Sequence, residues 1–376
     1  MLLTDDQEAI RDAVRSFASE QLWPHAARWD REHHFPREAH QGLAALGAYG
    51  ICVPEEFGGA NLGYLSLALV LEEIAAGDGG TSTAISVTNC PVNAILLRYG
   101  NAAQKKRWLT RLAQGELLGV FCLTEPHVGS DASALRTTAV KDGDGYVING
   151  VKQFITSGKH GHLAVVIAVT DKGAGKKGMS AFLVPTDTPG YVVARLEEKL
   201  GQRSSDTAQI NFDNCRIPAE NLIGEEGEGY RIALSSLEGG RIGIAAQSVG
   251  MARSALEVAI AYAKERQSFG TAIINHQAVG FRLADCATRL EAARQLVWHA
   301  ASLRDAGRPC LKEAAMAKLF ASEAAEEICS AAIQTLGGYG YFNDFPVERI
   351  YRDVRVCQIY EGTSDVQKII IQRALG

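Results

Sequence analysis

The chain has no cysteine pair at the spacing of a zinc ribbon or a redox dithiol. Its eight cysteines (Cys52, Cys90, Cys122, Cys215, Cys286, Cys310, Cys329 and Cys357) are scattered. That pattern excludes C-x-x-C chemistry and fits a reducing compartment better than a disulfide framework. No window approaches the ~20 apolar residues a helix needs to cross a membrane. There is no excess of positive charge either. Lysine and arginine number 38 against 43 aspartate and glutamate, for a net charge of −5 and a pI near 6.0. A nucleic-acid partner therefore has no broad basic surface to bind. The opening residues, Met1 to Phe17, carry Asp5, Asp6 and Glu8 and have no apolar core. They resemble neither a signal peptide nor an arginine-rich transit peptide, so the expected location is the cytoplasm, or the chain is a mature form whose targeting segment has been lost.

What is there reads as an ordinary soluble protein, 47% hydrophobic and 22% charged, and long enough at 376 residues for two or three domains. Its texture divides it into a helical segment (1–118), a β segment (119–226) and a second helical segment (227–376), an α+β multidomain layout. Thr4-Asp5-Asp6-Gln7 has capping-box spacing, and Ile10, Val14 and Phe17 then share one helical face. Tyr64 to Ala76 and Pro91 to Leu112 also have helical spacing. Around Gly119 short β-branched runs take over. Tyr146-Val147-Ile148, Asn149-Gly150 and Val151 to Ile155 predict a hairpin turning at Asn-Gly. Leu163 to Val169, Met179 to Val184, Tyr191 to Leu196 and Gln209 to Ile217 predict further strands of a sandwich or barrel. Ile242 to Arg266, Asn275 to Ala306, Lys312 to Leu336 and Val347 to Tyr360 predict long helices.

Several motifs that suggest ligands have plainer readings. Gly337-Gly338-Tyr339-Gly340 follows a helix rather than a strand, so a helix terminus and turn fits better than a nucleotide loop. Gly173 to Gly178, with three lysines nearby, lacks phosphate-loop spacing and reads as a hairpin tip. His160-x-His162 has no third ligand in view, so no metal is expected.

Chemistry concentrates in three stretches. Ile359-Tyr360-Glu361-Gly362-Thr363-Ser364-Asp365-Val366-Gln367 sets a carboxylate just before a helix that a Ser364 to Gln367 capping box would start near Asp365. Free N–H groups at such a start suit a phosphate or a bound ligand. Phe121-Cys122-Leu123-Thr124-Glu125-Pro126-His127-Val128-Gly129-Ser130-Asp131 is a polar loop at the switch from helices to strands. Phe154-Ile155-Thr156 closes the expected hairpin. Read singly, these are a solvated acid at a helix entrance, a plain interdomain connection and a strand end.

Together they resemble the acyl-CoA dehydrogenase family. The resemblance runs over nearly the whole chain. It adds Gly239-Gly240-Arg241-Ile242-Gly243, read as a helix start, then Arg266-Gln267-Ser268-Phe269-Gly270 and Gln334-Thr335-Leu336-Gly337-Gly338. It implies an N-terminal helical domain, a middle β domain, a C-terminal four-helix bundle and bound FAD. Phe121, Leu123, Thr124, Gly129 and Ser130 would line the flavin and pantetheine, with Ser130 also near the CoA. Phe154, Ile155 and Thr156 would pack on the isoalloxazine, with Thr156 bonding near N5. Glu238, Arg241 and Gly362 would meet the acyl-CoA. Thr363, Ser364 and Asp365 would touch the FAD side. Arg266, Phe269, Gln277, Gln334, Gly337 and Gly338 would reach an FAD held mainly by a neighbouring subunit, which implies a homo-oligomer, usually a tetramer. Glu361 would be the base that removes the α-proton while the β-hydrogen leaves as hydride to flavin N5. Some branches carry the base just before the arginine of the Gly240-Arg241 pair; here that position is glycine. An electron-transfer flavoprotein would take the electrons.

This chain departs from the family pattern at Phe154, where many members have tryptophan, at His127, often a small residue, and at Asp365, usually glutamate or glutamine. The run from Gly240 to Gln247 most resembles short-chain and short branched-chain members. Ile244 and Gln247 share a helical face with Gly240, and on that face they would close an acyl pocket early. An acyl-CoA oxidase or nitroalkane-oxidising relative keeps the same fold, and the absence of an extra C-terminal domain favours a dehydrogenase. A non-catalytic CoA-binding protein would have lost the base or the flavin loop, and both are present.

Overall fold

In the computed structural model of the protein, residues 2–376 are described. Thr4 opens helix α1 (Asp5–Phe17) with the expected reciprocal box: its hydroxyl accepts from the Gln7 N–H at 3.3 Å, and the Gln7 amide oxygen accepts the Thr4 N–H at 3.0 Å. Val14 on this helix is buried, with Ile10 and Phe17 packed beside it. Helices α2 (Gly63–Gly77) and α3 (Gly79–Val87) follow. The helical stretch expected from Pro91 to Leu112 is present as two helical runs, one continuing from α3 through Pro91 to Tyr99 and one from Ala102 to Ala113. Pro91 sits in a wide turn over Thr88–Asn93, Gly100 is extended, and Asn101 caps a fresh start with Gln104. The wide turn accommodates the missing donor of Pro91 without ending the helix, and the break falls at Gly100, before the new cap.

The middle segment holds β1 (Gly119–Cys122), β2 (Thr138–Asp142), β3 (Gly145–Thr156), β4 (Leu163–Val169), β5 (Met179–Pro185), β6 (Tyr191–Leu196), β7 (Thr207–Pro218) and β8 (Leu222–Ile223). They form one sheet in the order β6-β7-β3-β2-β4-β5-β8, with β1 parallel beside β4. The expected hairpin at Asn149-Gly150 is not there, because β3 runs straight through it. The turn lies at Gly143-Asp144, where Gly143 has φ +60° and Asp142 pairs with Gly145. Gly150 marks a bulge instead: its φ is +149°, and a Cβ there would stand 2.5 Å from Thr137 Oγ1. The Asn149 carboxamide is used sideways, accepting from the Asn214 N–H at 2.8 Å.

Strand β4 is buried at every position, because both its faces are covered. Val166 and Ala168 join Ile148, Phe182 and Ile210 inside the curled sheet. Val165 and Ile167 face Ile95, Leu109 and Ile232 of the helices. That double burial explains an unbroken apolar run where a half-exposed strand would alternate.

The last segment comprises α4 (Gly229–Glu265), α5 (Gln277–Asp305), α6 (Leu311–Leu336), α7 (Val347–Val354) and α8 (Ser364–Leu375). The glycine cluster read as a helix start lies in the middle of α4. Gly243 is there for closeness: a Cβ would stand 2.7 Å from Ser86 Oγ of α3. The expected helix from Val347 ends at Val354 and passes through a tight turn, Arg355–Gln358, before Tyr360. The first and last helical segments bury a single apolar cluster, in which Leu71 and Ile74 of α2 meet Ile242 and Val249 of α4, Leu290 of α5 and Ile328 of α6. Glu72 and Glu73, buried on α2, are neutralised by Arg294 at 2.9 Å and Arg15 at 2.7 Å, with Arg253 bridging both.

The start of α2 is capped from the far end of the chain. Asp305, the last residue of α5, accepts from the N–H groups of Tyr64 at 2.6 Å and Leu65 at 3.0 Å. Asp305→Ala leaves both donors without their carboxylate and is expected to cost about 1 kcal/mol, read as a lower midpoint in urea, with Asp305→Asn recovering most of it.

Candidate active site

Glu361 stands between the Arg355–Gln358 turn and α8, with φ +54°, and Gly362 after it has φ +88°. Two successive left-handed residues swing the Glu361 side chain back against the middle of α4. A Cβ built on Gly240 would lie 2.7 Å from Glu361 Oε2, so only glycine leaves room for the carboxylate. No hydrogen bond reaches Oε2, which is buried. Burial raises the Glu361 pKa to about 7, opposed by the charges of Arg241 and Lys318. Arg241 is itself 6% exposed, with Nε unpartnered.

The loop is held from behind. Lys318 of α6, fully buried, donates to the Gly362 carbonyl at 2.6 Å. Gln367 of α8 donates to the same carbonyl at 2.7 Å and to that of Glu361 at 3.2 Å. The capping expectation shifts by one residue. Thr363, not Ser364, caps α8, accepting from the Val366 N–H at 3.3 Å. Gln367 thus bonds the carbonyls rather than the cap, Ser364 Oγ is buried without a partner, and Asp365 is exposed. Lys318 carried no sequence signal: one lysine in an alanine-rich helix looks like any solvated one.

Of the residues expected at the acyl chain, Ile244 and Gln247 continue the Gly240 face of α4 and are buried. The Gln247 amide donates to the Gly79 carbonyl at 2.8 Å and to Thr83, and its oxygen accepts the Tyr360 hydroxyl at 3.0 Å. Thr83 in turn donates to Gln202 at 2.6 Å. Glu238 lies two residues before Gly240 on the same helix. It is bound by Arg304 at 2.6 Å and by the Cys310 thiol at 3.2 Å.

The polar loop after β1 is built around a buried ion pair. Glu125, 2% exposed, accepts from Lys152 of β3 at 2.9 Å and from the N–H groups of Arg136 at 2.7 Å and Thr137 at 3.0 Å. Lys152 also donates to the Leu123 carbonyl at 2.9 Å. The pair fixes the path of Leu123 and Thr124 and leaves Gly129 and Ser130 exposed beyond it. Glu125 lies in the polar loop and Lys152 in the strand expected from Val151 to Ile155, yet burial, not residue type, reveals the role of the pair. His127 sits 3.6 Å from Glu125, at the rim. Next in β3, a register shift between Lys152 and Ile155 gives Phe154 φ +59° and turns its ring outward, 63% exposed, while Ile155 stays buried. Thr156 pairs with Thr207, at the foot of the loop that carries Gln202 to Tyr360.

Arg266, Gly337 and Gly338 line one open cleft with Thr335 and Tyr339. Gln277, Gln334 and Phe269 are exposed nearby in sequence, Phe269 at 99% on a two-residue hairpin with φ +49°. Gly337, with φ +62°, ends α6 as the turn reading expected. The histidines at 160 and 162 are otherwise engaged, His160 with Asp206 at 2.9 Å and His162 with the Leu118 N–H at 3.0 Å.

These residues suit a flavin. The outward Phe154 ring supplies an apolar face, Ser157 beside it has a buried hydroxyl with no partner, and no atom lies within 4 Å of a Cβ placed on Gly129. Comparison with known proteins agrees. The family models for the N-terminal, middle and C-terminal domains of acyl-CoA dehydrogenase match residues 4–116, 120–215 and 227–376. The rat mitochondrial short-chain specific acyl-CoA dehydrogenase is 46% identical over 98% of this chain and 90% of its own. An acyl-CoA dehydrogenase of Bacillus subtilis is 46% identical over 100% of this chain and 99% of its own. The solved butyryl-CoA dehydrogenase of Megasphaera elsdenii superposes with a TM-score of 0.98 at 39% identity, covering 100% of this chain and 99% of that one. The chain belongs to the acyl-CoA dehydrogenase family of FAD-dependent oxidoreductases.

Proposed function

We propose that the protein converts a short-chain or short branched-chain acyl-CoA to its trans-2-enoyl-CoA, with Glu361 as the base. The observation that carries this is the Glu361 carboxylate, buried without a hydrogen bond against Gly240. An α-proton beside a thioester is weakly acidic, so the base needs a proton affinity well above that of a solvated glutamate. Burial supplies it by disfavouring the charged form. A carboxylate with a pKa of about 7 is about half ionised at neutral pH and holds the proton far more firmly than a solvated glutamate once it is taken. The Glu361 N–H donates to no acceptor among the described residues, leaving it free for the thioester oxygen, where negative charge develops. FAD, when bound, supplies the hydride acceptor. Phe121, Leu123, Thr124, Gly129, Ser130, Phe154, Ile155 and Thr156 would hold it on one side, and Thr363, Ser364 and Asp365 on the other. Ser130, Glu238, Arg241 and Gly362 would orient the thioester.

Arg266, Phe269, Gln277, Gln334, Gly337 and Gly338 would meet the FAD of a neighbouring subunit in a homotetramer. The exposure of Phe269, at 99%, supports a covered face there. An electron-transfer flavoprotein would reoxidise the enzyme. The short-chain reading is supported by two relatives, a short-chain specific enzyme and a butyryl-CoA dehydrogenase. It is also supported by Ile244 and Gln247, which narrow the face beyond Gly240.

Anaerobic titration with butyryl-CoA should bleach the flavin of the wild-type protein within the mixing time of a turnover. Glu361→Gln should keep its FAD and lose about 10²–10⁴-fold in the bleaching rate; normal bleaching would end the assignment. In the wild type, kcat/KM reports the free enzyme, so it should fall tenfold per pH unit below about 7 as Glu361 takes up its proton. An acid limb near the 4.5 of an ordinary glutamate would contradict the desolvated base. Gln247→Ala should move the preference toward longer chains, scored as the ratio of kcat/KM for octanoyl-CoA to butyryl-CoA. It should also lower the melting temperature, since the Tyr360 hydroxyl loses its acceptor.

A further inference from the structure

Lys318 is a fully buried lysine whose ammonium faces no carboxylate within ion-pair reach among the described residues. A buried cation without a counter-ion is costly, and the other fully buried lysine among the described residues, Lys152, is paired with Glu125. Its one strong contact is the 2.6 Å hydrogen bond to the Gly362 carbonyl. Every titratable group that faces it belongs to the site. Glu361 comes from the loop, Arg241 from α4 and Cys357 from the turn before the loop. Around Glu361 itself stand Arg241, Lys318 and the Cys90 thiol, which burial keeps neutral with its pKa up to about 12. Two cations thus flank one carboxylate, and neither donates a hydrogen bond to its buried oxygen.

We propose that Lys318 is a positioning residue for the base: its ammonium holds the Gly362 carbonyl so that Glu361 keeps its left-handed backbone, and it sets a buried positive charge one residue along the chain from the carboxylate. The inference rests on Glu361 being the base. It explains why the group is a lysine. A neutral donor would hold the carbonyl equally well, and Gln367 already does so at 2.7 Å. What Gln367 does not provide is charge. Desolvation alone would leave the carboxylate protonated at neutral pH and useless as a base. A direct ion pair would pull its affinity down to that of a surface acid. A cation set back on the neighbouring carbonyl gives the intermediate value.

The test compares Lys318→Met, Lys318→Gln and Gln367→Leu as FAD-loaded enzymes with butyryl-CoA, following kcat/KM from pH 5.5 to 9. Lys318→Met should shift the acid limb upward by about 1 pH unit, the low end of the effect of removing a nearby opposite charge. Activity at pH 7 should then fall several-fold and recover toward pH 9. Lys318→Gln keeps a donor and removes the charge. It should show the same shift, and it carries the test if the methionine variant does not fold. Gln367→Leu removes two hydrogen bonds to the loop but no charge, so it should lower the plateau and leave the limb in place. Difference infrared spectroscopy of the protonated Glu361 carboxyl against pH gives the same ordering without turnover, with Glu361→Gln identifying the band. An unmoved limb and an unmoved band in both Lys318 variants would overturn the proposal even with Glu361→Gln inactive. An active Glu361→Gln would instead overturn the reading of the base.

Discussion

A carboxylate placed where neither water nor a hydrogen bond can reach its inner oxygen sets the terms for everything around it. Desolvation raises its proton affinity; unopposed, it would keep the proton permanently. The protein answers with two charges at one remove, Arg241 and Lys318, rather than with a partner in contact. The same requirement reaches the backbone. Two residues in a left-handed conformation bring Glu361 to its position, and a non-glycine residue there costs on the order of 1–3 kcal/mol, so the loop needs anchors. Lys318 and Gln367 provide three hydrogen bonds to two successive carbonyls. On the facing helix, Gly240 sacrifices about 1 kcal/mol of helix propensity to make room, within a helix long and buried enough to absorb it.

The sheet meets a similar problem by different means. Phe154 points outward only because β3 carries a bulge beside it, and a bulge needs its flanks fixed. The Glu125–Lys152 pair does this on one side, tying the loop after β1 to the strand just before the irregularity. On the other side the Ser157 N–H is held by the Asp206 carbonyl at 3.1 Å. The loop that starts there carries Gln202, which bonds Thr83, the Asp353 carbonyl and Tyr360. A buried polar network of this kind adds little net stability, but its geometry is exacting. It couples the strand end bearing Thr156 to the residue preceding Glu361.

How far these features could be read from the sequence depended on whether their cause was local. The Thr4 cap, the strands β4 to β7 and the turn at Gly337 were legible, because capping chemistry, β-branched runs and a glycine after a helix act over a few residues. The order of helical and β segments followed from the same signals. The hairpin at Asn149-Gly150 was misread because Asn-Gly serves a bulge as well as a turn, and only the partner strand, with Asn214 waiting for the carboxamide, decides between them. The glycines of α4 were misread as a boundary for a comparable reason: helical glycine looks like a break until the neighbour that needs the space is known. Glu361 was legible through its motif. Lys318 was not, since what distinguishes it is the absence of water around it, a property of the packed helices and not of the residues beside it in the chain.

Packing also relates the two base positions the family resemblance offers, one beside the arginine of α4 and one before α8. They are distant in sequence, but in this fold a Cβ at 240 and the carboxylate of 361 would occupy nearly the same volume. The constraint therefore lies on a point in space rather than on a residue number, and a carboxylate can be delivered to it from either side. Both cannot be filled at once, because two side chains would overlap and two buried like charges would not both ionise. Glycine at 240 is accordingly the complement of glutamate at 361: each is required by the other, and each would be unremarkable alone. Arg241, fixed next to the shared point, serves a base arriving from either direction, and so does any charge set back from it at the same depth.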